Sequence, residues 1–170
     1  MRRMYFHVVV MVLMAAMESC STTPQPAANA VALRQEQAVA EIKKCGGTVI
    51  RDGESSDGPV IEVTFDRKGS PDSCMEYVKE LQQLRALNLS TTPVLDAGMA
   101  AVGDVHQLQS LNLNFTAVTD AGLEHLGTLK QLQTLFLFGT KVTGAGVRKL
   151  QTALPGCEMR WDEGRRAVPH

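Results

Sequence analysis

Few side chains in this sequence are of the kind that carry chemistry, and their spacing assembles none of them into a known catalytic pattern. The four histidines, His7, His106, His125 and His170, are scattered. His106 precedes a strand pattern and His125 sits on a helix pattern, where a solvated surface position is the expectation. There is no CxxC pair, no HExxH, no GxSxG and no phosphate-cradling GxxxxGK[ST] loop. No catalytic residue, cofactor or metal site is therefore expected, and the chain is not read as an enzyme. A formal net charge of −1 excludes the basic footprint that holds nucleic-acid backbones.

The cysteines are the remaining reactive groups. Arg2 and Arg3 precede an apolar stretch from Tyr5 to Met17, too short to span a bilayer comfortably and followed at once by Ser-Thr-Thr-Pro-Gln-Pro. This is the pattern of a secretory signal, with residues 1–19 removed on export and residues 20–30 left as a solvated tether. Met17-Glu18-Ser19-Cys20 resembles a bacterial lipobox, which implies lipidation at Cys20 and anchoring to a membrane surface. Ser19 fits that motif, and Glu18 and Met17 depart from it. A cut near Ala28-Asn29-Ala30 is the alternative. Export would place Cys45, Cys74 and Cys157 where disulfides persist. A Cys45–Cys74 bridge is conceivable, because Cys74 falls in the first repeat beside a helix ending at Cys45. The alternative is that all three are small core residues. Cys157 lies more than three repeats beyond Cys74, over ~14 Å at the spacing of parallel strands, and reaches neither.

The elements that position these residues follow from internal repetition. Leu84, Leu108 and Leu132 are spaced by 24, as are Leu87, Leu111, Leu135; Leu89, Leu113, Leu137; Thr92, Thr116, Thr140; and Val94, Val118, Val142. The columns continue through Ala97, Ala121, Ala145 and Gly98, Gly122, Gly146. One period earlier, Val60, Val63, Phe65, Cys74, Met75 and Leu81 form a degenerate first repeat with Lys68 in the Thr column. Each LxxLxL segment alternates as a strand with one buried face. The DAGLxxL that follows places Leu123 and Leu126 on one side of a short helix, capped by Thr119 or Asp120. Ser70-Pro71 is a cap followed by proline at the first helical position.

The segment from Leu108 to Leu126, LxxLxLxxTxVTDAGLxxL, resembles the bacterial leucine-rich repeat with Thr in place of the Asn ladder, and is similar to the cysteine-containing subclass found in F-box proteins. The resemblance covers about Val60 to Trp161. It implies an α/β fold: a right-handed solenoid with a parallel β-sheet on one face, short helices on the other, and a Thr column bonding neighbouring loop backbone. The expected organisation is an N-terminal cap over 31–59, one degenerate and three full repeats over 60–153, and a C-terminal cap and tail over 154–170. The first cap is a helix from Val31 to Cys45 and a strand from Thr48 to Arg51; the second ends in a strand with Trp161 shielding the last layer.

Folds of this kind host many activities, so function must come from the surface. The outward strand positions run from acidic Glu62 and Asp66, through Asn88, Ser90, Asn112 and Asn114, to Phe136 and Phe138. Two large rings on one outward side are either a binding site or are covered by the C-terminal cap. The leading expectation is a monomeric binding module at the cell envelope with a protein, or carbohydrate, partner. It has no nucleic-acid partner and meets the membrane only through an N-terminal lipid. The alternatives are a structural envelope domain without a ligand and a substrate-adaptor-like repeat protein.

Overall fold

The structure is a computed structural model that describes residues 26–53, 58–66 and 71–162. The chain divides into two compact units, 1–33 and 34–170. Helix α1 spans Pro26–Lys44; then come β1 (Gly47–Arg51), β2 (Val60–Phe65), α2 (Pro71–Val78), β3 (Ala86–Asn88) and α3 (Asp96–Gly103). The chain continues through β4 (Ser110–Asn112), α4 (Asp120–Leu126), β5 (Thr134–Phe136), α5 (Gly144–Ala153) and β6 (Glu158–Arg160). No helix among the described residues is long and apolar enough to cross a membrane. The Arg2–Cys20 pattern and Ser70 lie outside the described residues.

One six-stranded sheet carries the strands in sequence order. β1 pairs antiparallel with β2, and every later pair is parallel. The register is the sequence period made physical: Leu87 faces Leu111, Leu111 faces Leu135, and Leu135 faces Met159. Stacking in this register lays each leucine column into a continuous core. Leu84, Leu108, Leu111, Leu113, Leu126 and Leu135 are fully buried. That burial outweighs the poor intrinsic stability of three-residue strands.

Both ends are closed as the terminal layers require. At the first end Ala38, Val39 and Ile42 of α1 are buried in the same core as Val63, Phe65 and Met75. Arg51 fixes β1 by donating to the Gly58 carbonyl at 2.7 Å and to Glu36 at 2.8 Å. Cys45 and Cys74 are disulfide-paired, with Cα atoms 6.6 Å apart, so the end of α1 is tied to the first repeat. Cys157 is a free, buried thiol; burial, with Glu158 nearby, pushes it up to about 11, which makes it a poor nucleophile. At the second end Trp161 packs against the core.

Candidate binding face

Neighbouring repeats are linked by a ladder of carboxylates at the helix starts. Asp96 stands at the start of α3, yet its oxygens accept from the next repeat: Thr119 N–H at 2.8 Å and the Thr119 hydroxyl at 2.6 Å. Asp120 repeats this with Thr143 at 2.8 and 2.6 Å. From the next repeat Asp72 accepts the Leu95 N–H and no hydroxyl among the described residues, because leucine stands where the later repeats have threonine. The carboxylate lies over the next helix's glycine, where a Cβ on Gly122 would come 2.5 Å from the Asp96 oxygen. Burial pushes the Asp96 carboxyl up, but hydrogen bonds from the Thr119 side chain and backbone and the Gly122 N–H outweigh it, and the group sits below its ordinary range. In the last repeat Gly144 replaces the aspartate, and the Trp161 ring occupies that space. A repeat with no successor needs no bridging carboxylate.

This corrects the role expected for the Thr column. The Thr92, Thr116 and Thr140 hydroxyls donate within their own repeats, to the Leu89, Leu113 and Leu137 carbonyls at 2.6, 2.7 and 2.8 Å. These hydroxyls are used up within their own coil, and the aspartates make the link to the next one instead. Thr119 and Thr143 do cap α4 and α5, accepting from Ala121 and Gly146 N–H.

On the face itself Asn88, Ser90, Asn112, Asn114, Phe136 and Phe138 are all half-buried and share the outward side. The three asparagines are not free contact residues. Asn88 and Asn112 accept from the Ser90 and Asn114 N–H groups at 3.0 Å, and Asn114 accepts from Phe138 N–H at 2.8 Å. Their carbonyl oxygens thus complete the backbone where the short strands end. Phe136 is covered in part by β6: the Arg160 guanidinium lies 5.6 Å from its ring centroid, and Arg160 Nε donates to Glu158 at 2.8 Å. His106 and His125 are exposed and apart from the face, and no three His, Cys, Asp or Glu among the described residues are grouped to hold a metal. A groove of about 450 Å³ between α4 and α5, floored by Leu123 and Leu150, is spanned by the Lys149–Glu124 ion pair.

The most exposed ring among the described residues is one that spacing did not single out. Phe115 is 65% exposed and has φ 58°, in a column with Thr91 at 60° and Gly139 at 66°. That left-handed backbone favours glycine and strains a bulky side chain. The Phe115 ring lies on Gly139, where a Cβ would come 2.5 Å from its Cδ1. Gly139 N–H in turn donates to Asp162 Oδ2 at 3.1 Å, the position where a further repeat would offer a carbonyl. Phe115 N–H donates to the Phe138 carbonyl at 2.7 Å. The Phe115 ring and the Asp162 carboxylate thus both meet Gly139. A strict outward-alternation count stops at Asn114; only the shared left-handed column reveals Phe115.

No family profile matches this chain, and no curated protein sequence matches it. Among solved structures it is similar to a leucine-rich-repeat protein of Leptospira interrogans (23% identity, TM-score 0.41, covering 49% of this chain and 21% of that one). It is also similar to an internalin from Listeria monocytogenes (26%, 0.44, 54% and 25%) and to internalin C2 from the same species (19%, 0.43, 53% and 39%). The chain thus spans well under half the length of each. These likenesses are partial, and it is the 24-residue parallel register that fixes the architecture. The fold is a leucine-rich-repeat solenoid. Its repeats are thin α/β layers, and their variable side chains project from the sheet face and its rim.

Proposed function

We propose that this chain is a non-enzymatic binding module that works at the cell envelope as a monomer and takes a protein partner on the strand-lined face. The observation that carries the reading is Phe115: a large ring, mostly exposed, held at a strained backbone angle and seated on a neighbouring repeat. Exposure of an aromatic costs solubility and the left-handed backbone costs roughly 1 kcal/mol, so the position is poorly explained by stability alone. Half-buried Phe136 and Phe138 stand at outward positions of the neighbouring repeat, and the asparagines hold the outward positions beside them. Aromatic anchors beside polar donors are the composition of interface hot spots. Export is supported by the Arg2–Cys20 pattern and by a disulfide suited to an oxidising compartment. Photo-crosslinking tests the face: benzoylphenylalanine placed at Phe115 should give a discrete adduct in cells, whereas the same group at Arg148, exposed on α5, should not. Adducts at both positions or at neither would remove the binding-face reading.

A further inference from the structure

Resting on that reading of the face, we infer that the rim formed by Phe115 and Asp162 at Gly139 is a cation-recognition site that takes an arginine or lysine side chain of the protein partner. The fold contains its own pattern for this. Two residues before Phe138, Phe136 carries the Arg160 guanidinium at 5.6 Å, and the Glu158 carboxylate holds that guanidinium from the side at 2.8 Å. Ring, cation and carboxylate are thus already combined once. Two residues along, Phe138 follows Phe136 while an acid, Asp162, follows Arg160, so this step offers a ring and a carboxylate but no cation.

Gly139 joins the parts. Its N–H donates to one oxygen of Asp162 at 3.1 Å, and its open Cα face supports the Phe115 ring. The second Asp162 oxygen has no hydrogen-bond partner among the described residues. A guanidinium or ammonium over Phe115 would gain the ring quadrupole and a carboxylate together, the arrangement that makes cation–π recognition strong at a half-exposed site. Charge complementarity favours this occupant, because Glu158 and Arg160 already neutralise each other and the open Asp162 oxygen carries the charge left over at this end of the face.

The test uses fluorescein-labelled hexa-arginine amide as probe, with hexaglutamate as comparator, followed by fluorescence anisotropy on the full mature chain at ~0.15 M salt. The wild type should bind the arginine probe and not the glutamate one. Phe115→Ser and Asp162→Asn should each weaken binding about tenfold. Phe115→Trp should keep it, and Asp104→Asn, an exposed carboxylate beyond α3, should leave it unchanged. Asn at 162 retains an acceptor for Gly139, and Phe115 is solvent-facing, so unchanged melting curves will confirm that both variants are folded. No binding by the wild type, or equal weakening by Asp104→Asn and Asp162→Asn, would overturn the site. A several-fold gain in affinity on deleting residues 163–170 would assign it to this chain's own Arg165 and Arg166 and overturn the external partner. A crosslink at Phe115 with no probe binding would leave the binding face standing and remove the cation site alone.

Discussion

Replacing Asp96 with alanine should unlink two repeats without touching the leucine core. Its carboxylate accepts Thr119 N–H and O–H at 2.8 and 2.6 Å and also holds the Gly122 N–H, so alanine leaves the first turn of α4 without its cross-repeat acceptor. Charge-assisted hydrogen bonds contribute about 1.5–3 kcal/mol each when buried. Asp96 is only half-buried and water can replace part of what is lost, so the expected cost is about 2–3 kcal/mol. At about 3 °C per kcal/mol for a chain of this size, the melting temperature should fall by roughly 6–9 °C. A double-mutant cycle with Thr119→Val should show about 1 kcal/mol of non-additivity, because the two side chains share one bond. The folded-state carboxyl lies below its ordinary value, so its stabilisation is present above about pH 4 and is lost as pH falls through the lowered value. The advantage of wild type over Asp96→Asn should therefore shrink below about pH 4. Urea melts across pH would refute the ladder if Asp96→Ala cost under ~0.5 kcal/mol or if it added independently to Thr119→Val.

Leu111→Ala should cost about 2–5 kcal/mol, since a fully buried leucine between two stacked strands leaves a cavity. Asn112→Ala, which outward position alone marks as neutral, should cost about 0.5–1.5 kcal/mol because it frees the Asn114 N–H; thermal melts of the pair check both. Cys45→Ala with Cys74→Ala removes a bridge across 29 residues and should cost roughly 3.5 kcal/mol by loop-closure entropy, read by melts with and without reductant. Labelling with a fatty-acid analogue should mark wild type and not Cys20→Ala; equal labelling would remove the lipid anchor.

The sequence period made the core legible, because a residue repeated every 24 positions must face the same way in every layer. It located the strands, the helix caps and the rings at 136 and 138 from their alternation. Three things escaped it for physical reasons. The Asp ladder depends on a carboxylate reaching across to the next coil, and DAG at a helix start is equally a local cap. The commitment of Asn112 and Asn114 to backbone depends on where three-residue strands stop. Phe115 sits in a column where the backbone turns left-handed, and Thr, Phe and Gly in one column share no chemistry by which to notice it.

The most direct measurement is made on one variant, Phe115→Ser with Phe136→Ser and Phe138→Ser. Its melting curve is set beside the yield of partner adduct from a photo-crosslinker placed at Ser90, a face position outside the aromatic group. The rings as a binding face predict a melting temperature within a few degrees of wild type, allowing for the lost Phe136–Arg160 stack, and an adduct that disappears. A large fall in melting temperature with the adduct intact would show that the rings serve packing, and would contradict the account.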